Sequence, residues 1–112
     1  MQFGYITNGF SHHRLEDALE VLADLGYRSV GITLDVNHLD PMTCTPAEVA
    51  RIAKQLVRLR LQPTIETGGR YVLDPWRKHQ PNLCSATPAE RRRRVDFYAR
   101  AAAIGADLGA QV

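Results

Sequence analysis

The sequence predicts an α/β fold in which a parallel sheet is built from about three and a half βα units. Short apolar runs alternate with longer amphipathic runs along the 112 residues, and this alternation is typical of repeated βα units. The run Ser29–Leu34 is apolar on nearly every residue, as expected for a strand that is covered on both faces. Helical connections between successive strands imply right-handed crossovers and therefore a parallel sheet.

The first half of the chain contains two predicted strands with one helix between them. Phe3–Ile6 carries aromatic and β-branched residues and is predicted to be a strand that ends in a glycine-containing turn. The spacing of apolar residues predicts a helix over His13–Leu25. Gly26 is placed to end that helix in a left-handed conformation, and Ser29–Leu34 is the second strand.

Two later helices share one start signal. Thr45-Pro46-Ala47-Glu48 is repeated letter for letter as Thr87-Pro88-Ala89-Glu90. In each copy the threonine can cap the helix, the proline fits the first helical position, and the glutamate can complete a capping box. The third strand, Gln62–Thr67, lies between these helices and is followed by a loop to about Ala86. Loops of this length in a compact domain are often functional or mobile.

The third helix is predicted to run to about Ile104 and to end at Gly105. Four successive arginines, Arg91–Arg94, lie at its start and wrap all the way round it. They are unfavourable for the helix dipole there and indicate a solvated or partner-facing surface rather than a nucleic-acid site. Leu108–Val112 is expected to begin a fourth strand. The inner face of the helix is expected to carry Val95, Tyr98, Ala99 and Ala102.

The composition indicates one small globular domain. Apolar residues make up 45% of the chain, so a core is possible, and the net charge of +2 does not favour nucleic acid or an anionic membrane. No run of about 18 apolar residues predicts a membrane span, and the N-terminus lacks the pattern of a signal peptide. Cys44 and Cys84 are not in a CxxC pair, so we expect reduced thiols in a cytoplasmic protein, although a disulfide between them stays open.

The candidate site residues follow the predicted strands. Asn8 follows the first strand, Asp35 and His38 follow the second, and Glu66 ends the third, ahead of two glycines and Arg70. Polar residues at the carboxyl ends of parallel strands converge on one mouth in an α/β barrel. Glu66 is therefore the candidate general base or metal ligand. The other four residues are candidates for substrate binding.

Each candidate also has a structural interpretation. Glu66 could form a salt bridge with Arg70 or with another strand end. His38 could be an ordinary loop histidine, and Asp35 could be a cap or turn residue. A basic cluster in the long loop could grip a phosphate or carboxylate, act as a lid, or simply be solvated; it comprises Arg70, Arg77, Lys78 and His79, beside Trp76.

The predicted helices would cover one face of the sheet in a closed barrel, or both faces in a doubly wound sheet. A (β/α)8 barrel needs about 250 residues, so 112 residues correspond to nearly half of one. A parallel edge strand without its next neighbour exposes unpaired backbone groups. We therefore expect the N-terminal half of a longer barrel, or a half that associates with another copy or chain.

Three segments carry a family resemblance: FGYITNGF at the first strand, LADLGYRSVGITLD across the first helix and second strand, and PTIETGGRYVLDPWRKHQP at the third. They resemble the N-terminal part of the sugar phosphate isomerase/epimerase superfamily, also called xylose isomerase-like TIM barrels. The resemblance implies a partial (β/α)8 TIM barrel over residues 1–112, truncated in its fourth strand. It also implies a divalent metal ion near the strand ends, with most of its expected ligands on later strands.

The resemblance implies part of a metal-dependent isomerase or epimerase that acts on a sugar or sugar phosphate. Two alternatives remain open, namely an endonuclease-type phosphodiesterase on the same barrel and a non-catalytic half-barrel for binding or assembly. The expected ligand is a small sugar-like molecule, and neither nucleic acid nor a membrane is an expected partner. Because later strands would supply the other wall of the site, the chain by itself is not expected to be catalytically competent.

Overall fold

The computed structural model describes residues 1–111 and contains three strands and three α-helices in strict alternation. This arrangement confirms the predicted α/β class. The first two strands begin and end within one residue of their predicted bounds. The first helix is shorter than predicted at both ends. The elements are β1 (Gly4–Ile6), a 3₁₀ turn (Thr7–Phe10), α1 (Leu15–Asp24), β2 (Ser29–Thr33), α2 (Pro46–Leu59), β3 (Gln62–Glu66) and α3 (Pro88–Leu108).

The three strands form one parallel sheet in the order β1-β2-β3. Ile6 of β1 pairs with Gly31 of β2, and Thr33 of β2 pairs with Glu66 of β3. The carboxyl ends of all three strands therefore lie at one edge of the sheet. Within residues 1–111, β1 and β3 are both edge strands, and each has one side that pairs with no strand.

All three helices cover the same face of the sheet. Val30 and Ile32 of β2 are fully buried in a core that also contains Leu19 of α1, Ile52 of α2 and Ile104 of α3. One-sided coverage is the arrangement of a barrel rather than of a doubly wound sheet. It resolves the alternative that the sequence left open.

The opposite face of the sheet, here called the inner face, carries mostly small or polar residues. The strand register and the two-residue alternation of side chains place them together. A Cβ atom at Gly31 would meet both Ile6 and Thr64, which confirms that these positions share one face. The inner-face residues are Gly4, Ile6, Ser29, Gly31, Thr33, Gln62, Thr64 and Glu66.

The helix boundary signals are confirmed. Thr45 and Thr87 each accept a hydrogen bond from the backbone N–H of the glutamate three residues on, and both capping boxes are complete. Gly26 follows α1 with φ of +89°, the left-handed conformation that favours glycine. None of the helices in residues 1–111 is long and apolar enough to cross a membrane.

The predictions for α3 are wrong in its C-terminal boundary and in its buried face. The helix continues through Gly105 to Leu108 and is capped by Gly109 in a left-handed conformation. Gly105 packs against β3, and a Cβ atom there would lie 3.0 Å from Cγ1 of Ile65, a tight contact that favours glycine at this position. The buried residues are Arg94, Phe97, Ala101, Ile104, Gly105 and Leu108, whereas Val95, Tyr98, Ala99 and Ala102 are exposed.

The fourth strand expected over Leu108–Val112 is not found in the described part of that segment. Leu108 is the last residue of α3, and residues 109–111 form no strand. Val112 lies outside the described residues. The Ala110 N–H instead donates to the carbonyl of Gly105, which completes the end of the helix.

Candidate active site

Glu66 lies at the carboxyl end of β3, on the inner face of the sheet. Its side chain is half-buried, and its Oε2 accepts a hydrogen bond of 2.7 Å from the hydroxyl of Thr33 on the neighbouring strand. Thr33 and Glu66 are direct register partners, so the bond runs straight across the sheet. None of the ion pairs within residues 1–111 involves Glu66 or Arg70, and the predicted Glu66–Arg70 salt bridge is not formed.

A second threonine extends this connection to β1. The backbone N–H of Thr33 donates to Oγ1 of Thr7, over 3.0 Å. Thr7 is fully buried and Thr33 is 4% exposed. Buried polar groups are costly unless their hydrogen bonds are satisfied, and here each bond joins a different pair of strand ends. Sequence reasoning missed both threonines; the available signal was a hydroxyl residue at each of two neighbouring strand ends.

His38 and Asp35 lie in the loop after β2 and form a small antiparallel bridge with each other. Each backbone N–H donates to the carbonyl of the other residue, at 3.1 and 3.0 Å. The His38 ring is buried, and its Nε2 lies 2.8 Å from the carbonyl oxygen of His13. Because a carbonyl oxygen only accepts, Nε2 is the donor in this contact. Oδ1 of Asp35 accepts from the backbone of Val36.

Several of the predicted site residues line one small polar cavity. Its volume is about 20 Å³, which is enough for one water molecule. Glu66 is connected to this cavity through its hydrogen bond with Thr33, whereas Arg70 is exposed and lies outside it. The structure therefore brings together four of the five predicted site residues. The cavity is lined by Asn8, Ser11, Thr33, Asp35, Asn37 and His38.

Close packing requires glycine at one of the two glycine positions in the turn after Glu66. A Cβ atom at Gly69 would collide with the carbonyl oxygen of Leu34 and would lie 3.4 Å from Cγ of Asp35. At Gly68 nothing lies within 4 Å of the equivalent position. Gly69 thus lets the start of the long loop rest directly against the end of β2, beside the site.

The long loop is fastened to α3 by two members of the arginine run, which corrects its interpretation as a solvated or partner-facing surface. Arg94 is only 5% exposed. Its Nε donates to the carbonyl of Pro81 at 2.7 Å, and its Nη2 donates to the carbonyl of His79 at 3.2 Å. Arg91, one turn earlier, donates to the carbonyls of Ser85 and Ala86 at 2.7 and 2.9 Å.

A further group of contacts organises the middle of the loop. Oδ1 of Asp74 accepts from the backbone N–H groups of Trp76 and Arg77, and its Oδ2 accepts from Nε of Arg77 at 2.7 Å. The Trp76 backbone bond, followed by the Arg77 side chain, lowers the pKa of the Asp74 carboxyl. Arg77 also lies 3.6 Å from a carboxylate oxygen of Glu90 in α3. Arg77 therefore pairs with two carboxylates, those of Asp74 and Glu90. Its neighbour Trp76 is 89% exposed.

The described residues do not provide a divalent metal site by themselves. Within residues 1–111, no three His, Cys, Asp or Glu side chains are grouped so that they could hold a metal ion. Cys44 and Cys84 are free thiols. Burial, followed by the charges of Glu48 and Asp40, raises the pKa of the Cys44 thiol, which keeps that group protonated at neutral pH.

Comparison with known proteins identifies the fold. No family model matches the sequence, and no curated protein matches it in sequence. Among solved structures, the chain is similar to D-psicose 3-epimerase in the presence of D-fructose, with a TM-score of 0.75 and 19% sequence identity. The match covers 99% of this chain and 35% of the epimerase chain. The fold is therefore that of part of a TIM barrel, and the chain spans about a third of the length of the protein it matches.

Proposed function

We propose that this chain forms one wall of the active site of a sugar isomerase or epimerase. The observation that supports this proposal is the hydrogen-bonded carboxylate of Glu66, half-buried at the carboxyl ends of the strands. Catalytic groups in α/β barrels lie at this end of the sheet. The similarity to D-psicose 3-epimerase adds a sugar as the substrate class.

In this proposal Glu66 is a general base. Isomerisation or epimerisation of a ketose begins when a base removes the proton from a carbon next to the carbonyl group. The electron pair of that C–H bond moves to form an enediolate, and the carboxylate becomes a carboxylic acid. Returning a proton to the opposite face of the same carbon gives the epimer and requires a second acid group. That group would lie on the facing wall of the barrel, across from β3.

The remaining candidates would bind substrate hydroxyl groups. Asn8 and Asp35 line the small cavity, which itself holds no more than a water molecule, and in this proposal their amide and carboxylate would meet sugar hydroxyl groups at its rim. His38 lines the same cavity, with its Nε2 bound to the carbonyl of His13, while Arg70 lies on the exposed loop. A divalent metal ion at Glu66 would need ligands from outside the described residues, and none of the steps above passes through one.

The experiment that tests the proposal is proton exchange at carbon. The chain is incubated with D-fructose in D₂O, and the loss of the C3 proton signal is followed by NMR, with and without added Mn²⁺. Exchange needs only the base, which returns deuterium to the same face of the carbon, so it does not require the second acid group on the facing wall. We expect slow exchange in the parent protein and a rate about 10²-fold lower or more in Glu66→Gln, since a general base contributes about 10²–10⁴-fold. Glu16→Gln, which alters an exposed carboxylate of α1, is the matched control. Equal rates in the parent and in Glu66→Gln would refute the role of Glu66.

A second candidate function, a non-catalytic half-barrel used for assembly, is supported by a different observation. An apolar groove of about 520 Å³ runs along the unpaired side of β3, between Ile65 and the Tyr98, Ala102 and Ala106 side of α3. We call it the β3–α3 groove. A strand of another copy or chain could pair with β3 there and bury these side chains. Complete absence of C3 exchange in the parent protein would favour this function.

For either function we place the protein in the cytoplasm, in keeping with its free thiols.

The phosphodiesterase alternative has no comparable support. Its basic face would have only part of the arginine run, because Arg92 and Arg93 are exposed whereas Arg91 and Arg94 bind backbone carbonyls and Arg77 binds carboxylates. The latter three side chains serve to hold the long loop against α3.

A further inference from the structure

We infer that Thr33 is a positioning residue for Glu66, whose hydroxyl holds Oε2 and leaves Oε1 as the oxygen that exchanges protons with the substrate. The inference deepens the proposed function and rests on it. It assigns a role to a side chain that is buried, polar and placed by the strand register directly beside the candidate base.

The direction of the hydrogen bond distinguishes the two carboxylate oxygens. An ionised carboxylate can only accept, so the Thr33 hydroxyl is the donor in the 2.7 Å contact with Oε2. Hydrogen bonds to a charged acceptor are shorter and stronger than neutral ones. A proton taken from a sugar carbon would therefore go to Oε1, since the bond from Thr33 makes Oε2 the less basic of the two oxygens.

The donor is itself held in place. Thr33 is β-branched, and such side chains have few χ1 rotamers. Its backbone N–H is bound by the fully buried Thr7 at 3.0 Å, just beyond the point where β1 ends at Ile6. The hydroxyl is therefore presented from a fixed backbone position, supported by the ends of two strands.

Glu66 needs such support because its own position provides little. It is the last residue of an edge strand, is only half-buried, and is followed by the exposed pair Thr67 and Gly68. A free glutamate side chain samples several rotamers, and ordering it costs up to about 1.5–2 kcal/mol. A bond from a rigid neighbour removes this disorder before substrate binds, which is how a supporting residue preorganises a catalytic group.

The test compares Thr33→Val, which keeps the shape but removes the hydroxyl, with Thr33→Ser, which keeps the hydroxyl. Thr64→Val is the matched control. Thr64 lies on the same inner face, two residues before Glu66 on β3, and is not bonded to Glu66. The readouts are kcat and KM for C3 exchange of D-fructose, together with the three-bond couplings of the Glu66 methylene protons by NMR. These couplings show whether the side chain has one rotamer or several.

We expect Thr33→Val to lower kcat by about 10–100-fold with a smaller change in KM, because misplacing a reacting group by about 1 Å can cost 10²-fold. Thr33→Ser should stay within about threefold of the parent in kcat, and Thr64→Val should match the parent. In Thr33→Val alone the Glu66 couplings should become rotamer-averaged. Unchanged kcat in folded Thr33→Val, or averaged couplings already in the parent protein, would overturn the inference.

The failure of this inference and the failure of the proposed function give different results. If the parent protein shows no exchange, or if Glu66→Gln exchanges as fast as the parent, the proposed function fails whatever Thr33 does. If Glu66→Gln is inactive while Thr33→Val is fully active, only the positioning role fails. If Thr33→Val does not fold, Thr33→Ser provides the test, with its folding checked by circular dichroism. A loss of kcat in folded Thr33→Ser would overturn the inference, because serine keeps the hydroxyl.

Discussion

Replacing Arg94 with alanine should destabilise the protein far more than replacing its neighbour Arg93. The Arg94 side chain is buried and donates to the carbonyls of Pro81 and His79. Its guanidinium carbon also lies 4.9 Å from the centre of the Phe97 ring. The change would remove both hydrogen bonds and leave two loop carbonyls without their donor. Arg93, one residue earlier, is exposed.

The size of the effect follows from these contacts. A hydrogen bond from a charged donor contributes about 1.5–3 kcal/mol, and a cation–π contact about 0.5–2 kcal/mol. These contributions are not additive, and water can reach part of the opened loop, so we expect a loss of about 3 kcal/mol in the free energy of unfolding. For a domain near 100 residues this corresponds to a fall in Tm of roughly 12–24 °C. Arg93→Ala should stay within about 0.5 kcal/mol of the parent.

Urea unfolding followed by circular dichroism measures the difference between the two variants. Limited proteolysis adds a local readout, because loss of Arg94 should expose the loop around Pro81 to cleavage before the helices unfold. If Arg94→Ala and Arg93→Ala unfold at the same urea concentration, the arginine does not fasten the loop and its buried contacts contribute nothing to stability.

Three further outcomes are expected. Gly69→Ala should destabilise the protein by about 1–3 kcal/mol through its clash at the end of β2, whereas Gly68→Ala should be nearly neutral; equal urea midpoints would contradict the close packing. The Thr87 hydroxyl and then its backbone N–H, with help from Arg77, lower the pKa of Glu90. Its stabilising contribution is therefore complete above the usual glutamate pKa of about 4.3 and is lost as pH falls through the lowered value. Glu90→Gln should flatten the acid side of the stability–pH curve, and an unchanged slope would argue against it. If the β3–α3 groove mediates association, Ala102→Glu should shift sedimentation towards monomer, while Ala103→Glu, on an exposed residue outside the groove, should not.

The local signals in the sequence predicted most of the fold. Both Thr-Pro-Ala-Glu segments begin helices because the cap, the proline and the returning glutamate are all contained within four residues. The apolar run of β2 predicted a central strand because a run that is apolar on nearly every residue indicates a strand covered on both faces. Asn8, Asp35, His38 and Glu66 were expected to lie near one another because the carboxyl ends of parallel strands meet at one edge, and the structure places them so; their role in a site stays a prediction.

The errors arise where a distant contact overrides a local preference. Gly105 looked like a helix stop, but the helix passes through it, and the glycine lets α3 pack closely against Ile65. Arg94 looked like a surface residue, but the carbonyls of the long loop and the Phe97 ring surround it. Neither partner can be read from spacing along the helix. Thr33 was missed because its role depends on the strand register.

The two capping boxes also determine the charge at the starts of two helices. α2 and α3 each begin at the same end of the sheet as the site, because each follows the carboxyl end of a strand. The start of a helix carries a partial positive charge that ordinarily attracts phosphate. Here Glu48 and Glu90 already occupy those positions, accepting from the backbone N–H groups of Thr45 and Thr87 at 2.7 and 3.4 Å. An anion such as a phosphate would therefore meet a carboxylate at each of these two helix starts.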